Sequence, residues 1–224
     1  EGQEIHTQIN LKRLSRRASR VLVGEILRRT ESVPSELRDL IVEGAEGNPF
    51  YVEELVKMLI EDGVIVDGEE HWRVEMERLA EVRVPPTLTG ILQARLDSLP
   101  REEKAVLQRA SVVGRVFWGA AVAKLASDKG ESTQADKLLN DARNRELIFR
   151  RERSVFEATD EYIFKDALLR DVTYETVLLK LRRVYHAQVA RWLESTAGER
   201  INEYLSLIAR HYELAGETAT AADF

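Results

Sequence analysis

The chain has 224 residues, of which 44% are hydrophobic and 32% are charged, with a formal net charge of −6 and no cysteine. This composition suits a globular protein with a buried core, and the acidic balance argues against wholesale nucleic-acid binding, which needs a basic surface. The lack of cysteine excludes disulfide scaffolds, thiol nucleophiles and thiolate zinc sites. No apolar run approaches the roughly 18 residues of a membrane span, and we expect a cytoplasmic protein.

The first part of the chain predicts three helices followed by a β-hairpin. Alternating apolar and polar residues at 5–9 favour a short strand. Apolar spacing by threes and fours predicts helices at 15–29, from about Pro34 to Glu43, and from Pro49 to Gly63. Residues 64–66 and 71–74 are β-prone and flank an Asp-Gly turn, which is typical of a hairpin. Pro85-Pro86 then gives a stiff connector, where we expect a domain boundary.

The second part predicts helices followed by another hairpin, which is the pattern of a winged-helix domain. Thr87 is expected to cap one helix, and Pro100 to open the next. Further helices are predicted around 118–126 and from Thr133 to about Arg145. The predicted hairpin pairs residues 147–150 with 162–164, with Val155-Phe156 extending it.

The last part predicts a long helix from Tyr174 to about Glu194 and another over about Ile201–Ala215. The fold class predicted for the whole chain is therefore mainly α with two short β-hairpins. Both ends of the sequence look cut, so we expect a fragment of a larger protein.

No stretch of the sequence carries a self-contained active site. The four histidines (His6, His71, His186 and His211) do not fall into a metal-ligand spacing. Acidic pairs such as Glu53-Glu54 indicate solvated helix faces. The Gly-x-x-x-x-Gly-Lys-Ser/Thr loop that grips nucleotide phosphates is absent, as are Gly-x-Gly-x-x-Gly and Gly-x-Ser-x-Gly. The sequence therefore predicts no catalytic residue, no metal site and no enzyme activity of its own.

Four segments, in order, resemble one family. Residues 45–56, which include Gly47-Asn48-Pro49, are similar to a segment of the signal-transducing STAND ATPases, relatives of the AAA+ proteins. Residues 85–100 and 164–174 resemble the entry and exit of that family's winged-helix domain, and residues 209–216 resemble the start of its helical repeats. The likeness is greatest to the ATPase region of bacterial cyclase-linked or LuxR-like regulators.

The resemblance implies three domains. Residues 1–84 would be the helical lid subdomain, 85–172 the winged helix, and 173–224 the start of tetratricopeptide-like repeats. The fragment would be non-catalytic and bind no cofactor alone, whereas the intact parent would hold ATP or ADP with Mg. Its partners would be the upstream ATPase core, the downstream repeats and an unidentified inducer, with a cyclase or a transcriptional domain as output.

The resemblance also implies two nucleotide-facing positions. Gly47-Asn48-Pro49 matches the lid motif whose proline packs near the adenine in the family. A structural role explains the same residues, with Gly47 as the left-handed residue that ends one helix and Pro49 starting the next. Asp166 occupies the position where relatives carry a histidine that reaches the β-phosphate. Because an ionised carboxylate repels phosphate, we expect weakened ADP locking in the parent, unless Lys165 or Arg170 substitutes.

Two alternatives remain open at the level of sequence. A DNA-binding winged helix would use the basic residues around the second hairpin, namely Arg143, Arg145, Arg150, Arg151 and Arg153. Acidic residues on the preceding helix and the net charge weigh against it. A protein-interaction scaffold would use the last helices as the start of a repeat array, which needs about three repeats to be stable.

Overall fold

The structure, a computed structural model, describes residues 10–68, 70–126 and 132–224. In those ranges the fold is mainly α-helical, with a two-stranded and a three-stranded antiparallel sheet, which confirms the predicted fold class. The strand predicted at residues 5–9 lies outside the described residues. Among the described helices, none combines the length and the apolar character that crossing a bilayer requires.

The chain forms two compact units, one ending at Leu92 and the other beginning at Gln93. The division therefore falls after the predicted boundary at Pro85, inside a helix, α5 (Leu88–Ser98). Residues 81–86 are not a free linker, because the Tyr51 hydroxyl donates a hydrogen bond to the Pro85 carbonyl at 2.6 Å. Residues 173–224 lie in the same compact unit as the residues from Gln93 onward.

The first unit packs three helices and a hairpin around one apolar core: α1 (Arg16–Ile26), α2 (Ser35–Ala45), α3 (Pro49–Glu61), β1 (Ile65–Val66) and β2 (Arg73–Val74). α1 starts where the Ser15 hydroxyl accepts a hydrogen bond from the Ala18 amide. Ile65 pairs with Val74 in the predicted hairpin. A short helix that the sequence did not predict, α4 (Met76–Glu81), follows and buries Leu79.

The second unit begins with helices and a three-stranded sheet: α6 (Arg101–Val113), β3 (Val116–Trp118), α7 (Gly119–Ala126), α8 (Ser132–Asn144), β4 (Ile148–Arg150) and β5 (Glu161–Phe164). The predicted hairpin is β4–β5, with Phe149 opposite Ile163. β5 is central, because β3 pairs with its other edge, Phe117 opposite Tyr162. The helix predicted to start at Trp118 starts at Gly119, since Trp118 belongs to this third strand.

The unit continues with α9 (Ala167–Glu175), α10 (Leu179–Ala197), a 3₁₀ segment (Gly198–Glu203), α11 (Leu205–Ala215) and α12 (Thr218–Ala221). The prediction of a single long helix from Tyr174 is wrong, because α9 ends at Glu175 and a new helix, α10, begins at Leu179. Side chains satisfy the backbone carbonyls released there: Arg182 donates to those of Glu175 and Val177, and Gln108 donates to that of Thr176. The final predicted helix likewise begins at Leu205, after the 3₁₀ segment, and not at Ile201.

Candidate functional sites

Gly47-Asn48-Pro49 forms the junction between α2 and α3 in the first unit. The Asn48 side chain caps α3 by accepting hydrogen bonds from the Phe50 and Tyr51 amides at 3.1 and 3.4 Å. Pro49 is the first helical residue, where its missing N–H costs nothing. The residue that ends α2 in the left-handed conformation is Glu46, with φ 46°, and not Gly47 as predicted; Gly47 follows with φ 78°.

The backbone of Leu14 also packs so closely against Gly47 that only glycine fits there. The Leu14 amide donates to the Gly47 carbonyl at 2.8 Å, so the segment before α1 lies against the junction. A Cβ on Gly47 would overlap the Leu14 carbonyl oxygen. Arg13 pairs with Glu46 beside this contact at 2.9 Å. The motif therefore fixes the start of α3 by the positive φ of Gly47, the amide cap of Asn48 and the ring of Pro49.

Replacing Gly47 with alanine should destabilise the first unit by about 2 kcal/mol, since positive φ costs an L-residue roughly 1–2 kcal/mol and the Leu14 contact is lost as well. Urea unfolding of the chain, followed by the NMR signals of residues in the first unit, measures this. Gly24→Ala is the matched control, because a Cβ at that helical position meets nothing within 4 Å. Equal stability of Gly47→Ala and the unmodified chain would show that the junction is not constrained.

Asp166, the second predicted position, is the N-cap of α9. Its Oδ1 accepts a hydrogen bond from the Leu168 amide at 2.6 Å. Aspartate is among the strongest N-cap residues and its charge suits a helix N-terminus, so the local structure explains this carboxylate by itself. The Arg170 side chain has its own contacts: its Nε donates a hydrogen bond to the Ser111 carbonyl at 2.8 Å. Arg170 also forms an ion pair with Asp171 at 3.0 Å.

A buried pair of histidines, which the sequence did not predict, lies between α10 and α11. The Nδ1 atoms of His186 and His211 are 2.8 Å apart, and the two residues are 1% and 4% exposed. The Tyr174 hydroxyl lies 2.9 Å from His186 Nε2, and His211 forms a hydrogen bond with the backbone of Val113, the last residue of α6. Polar groups from four helices therefore meet in one chain of hydrogen bonds.

The hydrogen-bond pattern assigns the tautomers of both rings. The bond to Val113 raises the pKa of His211, as expected when the ring donates to a carbonyl. His211 then carries its proton on Nε2 and accepts at Nδ1, so His186 must donate from its own Nδ1. His186 Nε2 is left as the acceptor for the Tyr174 hydroxyl. All four ring nitrogens are engaged when both rings are neutral. A proton added to His211 Nδ1 would break the His–His bond, and a proton added to His186 Nε2 would stop that nitrogen from accepting from the Tyr174 hydroxyl.

Burial keeps both rings neutral. The pKa of His186 is lowered to about 3, mainly by desolvation. The neighbouring His211 and the charges of Arg170, Arg182 and Arg210 lower it further. Desolvation and the charges of Arg210 and Arg170 lower the pKa of His211 to about 4, against the effect of the Val113 bond. Arg170 and Arg182 also lie over the Tyr174 ring, with 4.7 and 4.4 Å between the guanidinium carbon and the ring centroid.

A cavity of about 330 Å³ opens beside the histidine pair. It is bounded by the end of α6, β3, α9 and α11, and three guanidinium groups line it, those of Arg115, Arg170 and Arg210. One carboxylate, Asp171, lies on its wall. Such a surplus of positive charge favours an anion over a cation.

A buried carboxylate forms a second polar centre in this unit. Glu161 is 2% exposed and accepts hydrogen bonds from the Trp118 indole N–H and the Val155 amide, each at 3.1 Å, and from Arg151. Trp118 packs against Phe156, Trp192 and Tyr204. Phe156 therefore belongs to an aromatic cluster. The sequence-based prediction that it extends the hairpin is wrong. Glu161 orients that cluster, which is a structural role.

The arginines considered for DNA contact are largely compensated by carboxylates. Arg145 pairs with Glu103 at 3.0 Å, Arg150 with Asp160 at 2.6 Å, and Arg151 with Glu161. A guanidinium already held by a carboxylate has less charge to offer a phosphate backbone.

The separation along the chain explains why the sequence did not reveal the histidine pair and its cavity. The two histidines are 25 residues apart, and neither has a partner at ligand spacing. The one local signal is position: His186 and His211 each occupy the buried stripe of their helix, with Val189 three residues after His186 and Ile208 three before His211. A histidine on an apolar stripe predicts burial, but not which partner it meets.

Comparison with known families matches residues 16–73 to a domain of unknown function, DUF8739. The matched segment runs from the first residue of α1 to the first residue of β2, and it contains the Gly47-Asn48-Pro49 junction. No curated protein matches the chain significantly.

Proposed function

We propose that this chain is the non-catalytic regulatory part of a multidomain signal-transduction ATPase. In this proposal a P-loop core elsewhere in the protein, in the cytoplasm, holds ATP or ADP with Mg. The first unit would act as the lid over the nucleotide, and the second would pass the nucleotide state to downstream repeats and an output domain. Such a module works by biasing a two-state equilibrium, and needs no catalytic residue of its own.

The observation that carries the proposal is the order of elements along the chain. A helical unit with the Gly47-Asn48-Pro49 junction is followed by α6, α7 and α8, and then by the β4–β5 hairpin. Helices followed by a hairpin are the pattern of a winged-helix domain, and helices α10 and α11 come next, where the resemblance expects repeats. Lid, winged helix and repeats occur in this order in STAND ATPases.

The geometry of the junction gives the proposal its second support. A helix start beside a ligand needs a fixed position, and the close approach of Leu14 to Gly47 together with the Asn48 cap supplies one. The proline ring at the first turn of α3 offers an apolar contact suited to a flat base. The chain has no phosphate-binding loop, so the affinity for a nucleotide would depend on the core.

The test uses the full-length protein that contains this chain. We expect it to bind ADP and to release the ADP rapidly, because Asp166 places a negative charge at the phosphate-sensing position. Asp166→Asn keeps the N-cap and removes the charge, and Asp166→His restores the family residue at the cost of about 1 kcal/mol of capping. Both variants should slow ADP release, which is followed by chasing a fluorescent ADP analogue with unlabelled ADP.

Glu199→Gln, which removes an exposed carboxylate from the 3₁₀ segment, is the control and should leave the release rate unchanged. A full-length protein without a P-loop, or one that binds no nucleotide, would overturn the proposed function. Unchanged ADP release in both Asp166 variants would overturn the role of that residue alone.

A further inference from the structure

The cavity beside the histidine pair has the features of a small anion site, independently of the proposed function. Its walls come from one compact unit, and its volume of about 330 Å³ is at the lower end of the range for small-molecule sites. Arg170 is held in place by its bonds to the Ser111 carbonyl and Asp171 and by the Tyr174 ring. A guanidinium fixed in this way loses little side-chain entropy when it binds a ligand.

The other two arginines are available to a ligand. Arg115 and Arg210 are exposed, and neither forms an ion pair with a residue in the described ranges. With Arg170 they give three positive charges against the single carboxylate of Asp171, which leaves a surplus of two. A phosphate monoester carries about −1.5 to −2 at neutral pH, so its charge matches that surplus.

The histidines contribute shape but no charge. Their four ring nitrogens are already engaged, with Tyr174, with Val113 and with each other. They form a polar, neutral floor, and recognition falls to the guanidinium groups. The planar fork of a guanidinium matches two phosphate oxygens, which makes a tetrahedral oxyanion a better fit than a halide.

We propose that the cavity lined by Arg115, Arg170 and Arg210 binds a small phosphate-type oxyanion, either inorganic phosphate or the phosphate group of a small phosphorylated metabolite. Arg170 positions the oxyanion at the wall, and Arg115 and Arg210 close on it from the rim. Occupation would join the end of α6 to α9 and α11 through one ligand, and so stiffen the second unit.

The experiment titrates the intact chain with inorganic phosphate, glycerol 3-phosphate and chloride at constant ionic strength. The ring signals of His186 and His211 in proton–nitrogen spectra report events at the cavity floor. We expect both signals to shift with a saturable, millimolar phosphate dependence. A stronger response to glycerol 3-phosphate would identify a phosphorylated metabolite as the source, and a stronger response to phosphate would identify the free ion.

Arg210→Gln and Arg115→Gln should each weaken phosphate binding about tenfold, the effect of losing one charged hydrogen bond. Arg183→Gln is the matched control, because Arg183 is exposed on α10 and does not line the cavity. The proposal is overturned if about 10 mM phosphate shifts neither ring signal. It is also overturned if chloride shifts the ring signals as much as phosphate does, or if the Arg183 variant weakens phosphate binding as much as the Arg210 variant. We expect millimolar affinity because two of the three arginines are exposed, where charged interactions are weak.

Discussion

Acidification from about pH 7 to about pH 5 should lower the free energy of unfolding of the second unit by about 4 kcal/mol through His186 and His211 alone. Each ring has an ordinary pKa of 6.5 in the unfolded chain, but burial lowers the pKa of the folded rings to about 3 and about 4. Between those values the unfolded chain binds more protons, so acid favours unfolding. The stabilisation is complete above pH 6.5 and is lost as the pH falls towards the folded pKa values.

Urea unfolding at a series of pH values measures this loss. A Trp72→Phe background leaves Trp118 and Trp192, so that the fluorescence reports the second unit only. His186→Gln and His211→Gln should each flatten the pH dependence by about 1.4 kcal/mol per pH unit below the unfolded pKa. His71→Gln, which replaces an exposed histidine of the first unit, should leave the dependence unchanged.

Direct titration of the rings by NMR keeps this prediction testable even if a histidine variant does not fold. The ring signals of His186 and His211 should show no protonation down to about pH 5, because both pKa values lie below that point. Protonation of either ring near pH 6.5 would mean that the pair is solvated and that its hydrogen-bond chain does not form.

Replacing Glu161 with alanine should destabilise the second unit by about 3 kcal/mol or more, because each buried donor left without an acceptor costs about 1–3 kcal/mol. The Trp118 indole and the Val155 amide both lose their acceptor in this variant. Glu161→Gln should cost less, about 1–2 kcal/mol, since the amide oxygen can still accept both bonds. Arg151, whose side chain is 51% exposed, can then turn to water.

The same urea series in the Trp72→Phe background compares the two variants. Glu157→Ala is the matched control: it removes an exposed carboxylate from the same loop and should change stability by less than about 0.5 kcal/mol. Equal losses for Glu161→Ala and Glu161→Gln would mean that the ion pair with Arg151, and not the two buried donors, accounts for the effect.

Local signals in the sequence were sufficient for much of the fold. The Asp-Gly turn between two β-prone runs predicted the first hairpin, which the pairing of Ile65 with Val74 confirms. Thr87 was expected to cap a helix, and its hydroxyl accepts from the Gly90 amide at 3.1 Å. Pro100 was expected to open another, and α6 starts one residue later. Each of these features depends on residues within a few positions of one another, so the sequence pattern contains the cause.

The predictions of secondary structure were wrong where contacts between residues far apart in the chain outweighed a continuous local pattern. The unbroken apolar spacing of residues 174–194 predicted one helix. In the structure the Gln108 side chain, 68 residues earlier in the chain, donates a hydrogen bond to the Thr176 carbonyl, which a continuous helix would have used for its own backbone bond. Trp118 read as part of a helix, yet it pairs with Glu161 in the sheet. Phe156 read as a strand residue, although it packs in a cluster with Trp118 and Trp192.

The sequence by itself determined the class of the fold, both hairpins, and the Gly47-Asn48-Pro49 junction, because caps, turns and apolar periodicity act over one or two turns of chain. It did not determine the buried polar centres. His186 meets His211, Trp118 meets Glu161, and three arginines from separate elements share one cavity only after the helices have packed. Tertiary structure decided these because burial makes polar groups find partners wherever the fold brings them, and a sequence records the groups without the distances between them.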